Sequence, residues 1–261
     1  MPPLGVLIVL CGLFGLAIGS FLNVVIYRVP RELSVVSPRS ACPSCGAPIE
    51  NRDNVPVVSW LVLRGRCRHC RHPISVRYPL VEVATALLFC GAALRYGFYA
   101  ALPALLAMLA GLLALACIDL ETMRLPRRIV YTLLGVVAVL LLAAAVATGD
   151  YRSLWIATAC AAAWFLLFYA INRADERFLG FGDVRLALVL GLGLGWLGVT
   201  SALIGFFAAN ILGAAVGLAL IAAHRMRRDH PIPYGVFLAL GAAVAIFVGP
   251  SVHVHLRGAL P

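Results

Sequence analysis

A chain of 261 residues that is 62 per cent hydrophobic and only 12 per cent charged, with a mean hydropathy of +0.98, is not a soluble globular domain. The composition describes a multi-span membrane protein, and the lack of two-residue apolar alternation excludes a β-barrel and makes the spans helical. A formal charge of +10 would point a soluble protein at nucleic acid, but here it is carried entirely by arginine, whose placement gives a membrane topology instead.

Apolar stretches cover roughly residues 4–27, 80–94, 100–118, 129–148, 154–171, 184–197, 201–223 and 234–248, eight expected helices of which several are short for a bilayer. The first has no basic segment before it and its positive charge follows it, which reads as a retained helix with its N-terminus outside rather than a cleaved signal. Ser20 and Asn23 near its end are expected to make interhelical hydrogen bonds. Residues 28–78 form the one substantial polar insertion, separating the first helix (1–27) from an expected seven-helix core (79–261).

Within the insertion, Cys42-Pro-Ser-Cys45 and Cys67-Arg-His-Cys70 are two Cys-x-x-Cys knuckles with 21 residues between them, the spacing of a tetrathiolate zinc site. Cytoplasmic thiols stay reduced, which argues against disulfides, and so small a polar segment cannot build a core unaided, which makes zinc a structural staple. His69 and His72 are alternative ligands beside the second knuckle. Cys11, Cys90, Cys117 and Cys160 are scattered singly through apolar stretches and read as small buried hydrophobes.

Glu82 enters the second apolar stretch and reads as a cap or a partner of a cytoplasmic arginine. The third stretch ends at Asp119, where the helix dipole disfavours a negative charge, and Pro126 opens the next helix. After the fifth stretch comes the mixed-charge loop Asp175-Glu176-Arg177, and then Gly180-Phe181-Gly182-Asp183 runs into an apolar helix. Asp183 has a bland reading as an N-cap. Gly191, Gly193, Gly195, Gly198, Gly213 and Gly217 suit close helix packing, and Asn210 an interhelical hydrogen bond. His230 precedes the last helix, and His253 and His255 in the tail do not make a metal site.

Arg28, Arg31, Arg39, Arg52, Arg64, Arg66, Arg68, Arg71 and Arg77 follow the first stretch, Arg124, Arg127 and Arg128 the third, Arg173, Arg177 and Arg185 flank the fifth-to-sixth junction, and Arg225, Arg227 and Arg228 follow the seventh. Only Arg95, Arg152 and Arg257 fall on the other side. The positive-inside rule therefore puts both termini outside and brings Asp119 and Asp183 to the same cytoplasmic leaflet.

Two carboxylates held together share one proton, so the pair contains a base and an acid at once. The ionised member takes a proton from water as it attacks a peptide carbonyl, and the protonated member supports the oxyanion. Asp175 and Glu176 are poorer partners for Asp183 than Asp119, since they lie in a solvated loop. The glycines flanking Phe181 allow an extended peptide to approach the backbone. No serine-nucleophile motif, phosphate loop or dinucleotide fingerprint competes.

Gly19-Ser-Phe-Leu-Asn-Val-Val-Ile-Tyr-Arg28, both Cys-x-x-Cys pairs, Tyr78-Pro-Leu-Val-Glu82, Asp119 with Leu125-Pro126, Gly180-Phe-Gly-Asp183 and Ile232-Pro-Tyr-Gly235 together resemble the bacterial type IV prepilin peptidases, GxGD aspartyl membrane proteases. The resemblance implies an all-α inner-membrane endopeptidase that removes the leader of type IV prepilins and type II secretion pseudopilins, and in many relatives N-methylates the new terminus with S-adenosylmethionine. It implies catalytic roles for Asp119 and Asp183, an active-site loop of Gly180, Phe181, Gly182 and Arg185, and zinc on Cys42, Cys45, Cys67 and Cys70. Arg185, Arg127 and Val236 depart from the family's usual residues at those places. The rival readings are a proton-coupled transporter with relay aspartates and a membrane-tethered zinc ribbon on nucleic acid; the second leaves the aspartates unexplained, and no nucleic-acid partner is expected.

Overall fold

The computed structural model describes residues 3–175, 179–223 and 232–249. Glu176, Arg177, His230, the basic cluster Arg225, Arg227 and Arg228, and the tail with His253, His255 and Arg257 lie outside the described residues. The described chain is helical, with isolated bridges in place of strands. Its long helices are α1 (Leu4–Arg28), α3 (Arg77–Tyr96), α4 (Leu102–Thr122), α5 (Arg127–Thr148), α6 (Tyr151–Ala174), α7 (Phe181–Trp196), α8 (Val199–Ala222) and α9 (Tyr234–Val248), with a short α2 (Val58–Val62) inside the insertion.

The eight long helices fall on the eight apolar stretches. Six of them, α1, α3, α4, α5, α6 and α8, are long and apolar enough to cross a bilayer. Helices α7 and α9, with 16 and 15 residues, are shorter. Pro126 is the N-cap of α5 rather than a member of its first turn.

The chain divides into two compact units, Met1–Leu94 and Arg95–Pro261. In the first, α1 lies against α3 through small residues. A Cβ on Gly15 would stand 2.7 Å from the Ala86 Cα, and one on Gly19 would stand 2.6 Å from the Glu82 Cα, so only glycine lets the two backbones approach this closely. Asn23 donates to the Tyr78 carbonyl at 3.0 Å, and the Glu82 carboxylate accepts the Val57 N–H at 2.7 Å. That bond holds Val57 at φ +61°, a left-handed conformation a β-branched residue rarely adopts.

In the second unit α7 is the central element and packs against α4, α5, α6, α8 and α9. From Val189 to Leu197 every residue of it is buried. The glycines make this possible: Gly191 lies against the Ala161 backbone, Gly195 against Cys160 and Ala157, and Gly193 against the Met108 sulfur. At the other end of α9, Tyr96 donates to the Ile246 carbonyl at 2.6 Å and Arg95 donates to that of Gly249, so a cation sits where the dipole of α9 is negative.

Candidate active site and metal centre

Asp119 lies in the last turn of α4, which continues to Thr122, and it is buried. At that position only its own helix's negative end would face the carboxylate, an unfavourable setting. The fold supplies an offset that the sequence does not advertise. A Cβ on Gly235, in the first turn of α9, would stand 2.9 Å from Asp119 Oδ2, so the carboxylate rests on the positive end of a second helix. Asp119 Oδ2 is buried and, among the described residues, makes no hydrogen bond of good geometry, while the Gly235 and Val236 N–H groups face the carboxylate.

Asp183 belongs to the first turn of α7, and the N-cap of that helix is Gly180, which has no side chain to cap with. Asp183 is therefore not the N-cap residue itself: its backbone N–H bonds back to the Gly180 carbonyl at 3.0 Å, and its carboxylate reaches back to the Gly180 N–H. Upstream, the buried Asn172 of α6 donates to the Leu179 carbonyl at 2.7 Å and fixes the approach to Gly180. Gly182 abuts Leu125, which also touches Gly235, so one leucine spaces the loop that carries Asp183 from the helix end that supports Asp119. The two carboxylates are near enough for the charge of Asp119 to act on Asp183. Asp183 is partly exposed to solvent and Asp119 less so.

Phe181 is exposed, and the Arg185 guanidinium lies over its ring at 4.6 Å and over that of Tyr131 at 5.9 Å. Asp175 is the C-cap of α6, its N–H bonded to the Ile171 carbonyl at 3.1 Å. Leu125, Tyr234 and Gly235 are the residues that sequence reasoning passed over as structural parts of the site; the run Ile232-Pro-Tyr-Gly235 stood out only by resemblance.

In the first unit the Sγ atoms of Cys42, Cys45, Cys67 and Cys70 all lie within 4.8 Å of one another, and those of Cys42 and Cys70 are 3.7 Å apart. Four thiolates about 2.3 Å from one tetrahedral zinc stand about 3.8 Å from each other, so the donor set fits that ion. Neither His69 nor His72 belongs to the cluster; instead the His72 carbonyl accepts the Cys67 N–H at 2.9 Å. Each knuckle closes with an antiparallel bridge, Ala41 to Pro48 and Arg66 to Pro73. Backbone N–H groups of Cys45 and Ser44 bring the Cys42 thiol down to about 6, and those of Cys70 and His69 lower that of Cys67. The His72 N–H also favours a Cys70 thiolate, but desolvation and the three neighbouring sulfurs outweigh it and push Cys70 up to about 12. Four such thiolates can coexist only around a cation.

Of the single cysteines, Cys11 and Cys160 are buried, Cys90 donates to the Ile8 carbonyl at 3.5 Å, and Cys117 is half-buried.

Residues 13–96 match the bacterial peptidase A24 N-terminal domain, and residues 106–218 match the type IV leader peptidase family. A Burkholderia pseudomallei (strain 1026b) protein named prepilin leader peptidase/N-methyltransferase is 36% identical over 290 residues, covering 98% of this chain and 90% of that one. Proteins of the same name from Aeromonas hydrophila and Bacillus subtilis (strain 168) are 36% and 32% identical, each over 92% of this chain and over 90% and 94% of their own lengths. No solved structure is significantly similar. Two family models in tandem and relatives aligned nearly end to end place this chain in the type IV leader peptidase family.

Proposed function

We propose that the chain is an aspartic endopeptidase of the bacterial inner membrane that cleaves the leader from prepilins and pseudopilins at the cytoplasmic face, with Asp119 and Asp183 as its catalytic pair. The observation that carries this reading is that Asp119, resting on the N-terminus of α9, lies near enough to Asp183 for its charge to act on it, in the family whose relatives are named prepilin leader peptidase. One proton shared between them makes one member the base that activates water and the other the acid that stabilises the tetrahedral oxyanion and returns a proton to the leaving amine. The positive end of α9 beneath Asp119 favours the negative charge that one member of the pair carries throughout. Gly180, exposed and without a side chain, leaves the backbone beside Asp183 open for an extended scissile segment. Relay aspartates of a transporter receive no support from these relatives.

Cys42, Cys45, Cys67 and Cys70 would hold one zinc ion, whose closed sphere of four thiolates supplies folding energy to the insertion and leaves no position for water. The relatives' names add methyl transfer to the new N-terminus, for which S-adenosylmethionine would be the donor; that half of the reading rests on those names.

The test is to incubate the purified full chain with a prepilin and measure the product's N-terminus by mass. Cleavage at one defined bond by the unaltered chain, with none by Asp119→Asn or Asp183→Asn, is the expected result. Cleavage that persists in either variant rejects the pair.

A further inference from the structure

Asn210 stands near the middle of α8, a helix without a charged residue, and it is exposed. From Ile211 to Ala222 every residue is apolar, a length of about 18 Å at 1.5 Å per residue, and Phe207, Ile211 and Leu218 are exposed on either side of the amide. A polar side chain on so apolar a helix is costly unless it has a partner.

Its hydrogen bonds account for half of that need. Asn210 Nδ2 donates to the Phe206 carbonyl of its own helix at 2.8 Å, and its Oδ1 accepts the Tyr234 hydroxyl at 3.3 Å. A carboxamide offers two N–H donors and two acceptor lone pairs, so among the described residues one of each remains, on an exposed side chain. A donor and an acceptor side by side are the complement of a peptide group. Tyr234 connects this foothold to the candidate pair: it opens α9 immediately before Gly235, which lies on Asp119, and it stands within electrostatic reach of Asp183. Its ring continues inward to Phe168, which faces Phe206 of α8 edge-on at 6.2 Å.

We infer that the exposed face of α8 around Asn210 receives the apolar helix of the substrate directly from the bilayer. The Asn210 amide then pairs peptide groups of the unwound segment that leads to Asp119 and Asp183; this rests on the peptidase reading above. The apolar surface selects the occupant. Peptide groups freed at the unwound end of an apolar helix need new partners, and Asn210 presents one beside Tyr234. A water-soluble peptide has no reason to enter along the apolar stretch from Ile211 to Ala222.

The test uses the full chain in phosphatidylethanolamine–phosphatidylglycerol vesicles with a prepilin that keeps its apolar helix. Loss of one neutral hydrogen-bonding group changes binding about five- to tenfold, so Asn210→Leu should raise KM by that factor with kcat within about twofold, and Asn210→Gln should restore KM. Independently, a photoreactive phenylalanine at Ile211 in the Asp183→Asn background should crosslink to the prepilin, whereas one at the exposed Leu142 of α5 should not. An unchanged KM in Asn210→Leu overturns the inference, as does an Ile211 crosslink that captures only lipid or a second copy of the chain. If the unaltered chain cuts prepilin while Ile211 fails to crosslink it, the docking face alone is wrong. If the unaltered chain cuts nothing, both readings fall together.

Discussion

Asp119 is held at a place where its own helix repels it, and its neighbour Gly235 is what makes that place tolerable. A methyl group on Gly235 would stand 2.9 Å from Asp119 Oδ2 and 3.1 Å from a Leu125 methyl, so Gly235→Ala must move the carboxylate. A misplacement of about 1 Å at a reacting group can lower rate about a hundredfold. Gly235→Ala, which needs a smaller shift, should lose kcat by up to that factor in the prepilin assay while its melting temperature changes little, and a variant with normal kcat would show that α9 does not position Asp119. The pair should also behave as one unit: the double variant Asp119→Asn with Asp183→Asn should be no less active than either single one, because residues that share a proton are not additive. Both aspartates were legible in the sequence, one from an acid at a helix C-terminus and one from the glycines that precede it. Gly235 was not, since its contact with Asp119 spans the chain from α4 to α9 and depends on how those helices pack, to which no local pattern gives access.

Secondary elements were easier to read than their joints. Long apolar runs fix α4, α5, α6 and α8, and the spacing of the four cysteines is enough to predict a metal cluster in which the sulfurs converge within 4.8 Å. What the insertion does at Val57 has no such signature, because its left-handed backbone is set by Glu82, on another element, and by no glycine or asparagine of its own. Glu82→Ala leaves the Val57 N–H without its acceptor, which should weaken the insertion by about 1–3 kcal/mol and expose Arg64 to trypsin sooner. For the metal, purified chain should contain about one zinc, and Cys67→Ser should release it. Acid should release it too. In the metal-free knuckles Cys42 titrates at about 6 and Cys70 at about 12, so near neutrality binding must expel a proton from Cys70, and below about 6 one from Cys42 as well. Zinc affinity should accordingly fall as pH drops, most steeply once pH passes below 6, in a chelator competition followed across pH; affinity independent of pH would mean that the thiols are not the ligands.

Across the whole molecule, α7 and α9, with 16 and 15 residues, are the shortest of the eight long helices among the described residues. Their shortness fits a role inside the helix cluster rather than against lipid: α7 is enclosed by five neighbours and need not match the full bilayer alone. The arginines predict the orientation, since Arg124, Arg127 and Arg128 sit between α4 and α5 while Arg152 alone accompanies the turn into α6. Helix α5 separates those two connections, so they should differ in access. Tyr151 is exposed at the start of α6, and Arg124 is exposed after α4. In intact cells a membrane-impermeant maleimide should label Tyr151→Cys and spare Arg124→Cys. The native Cys45 and Cys70, exposed on the insertion, should also stay unlabelled until the membrane is broken and the zinc is chelated. The reverse pattern would place the aspartates on the outer face, where a cytoplasmic leader could not reach them. Equal labelling of the two introduced cysteines would mean that α5 does not cross, and the shared-leaflet argument for Asp119 and Asp183 would lose its basis.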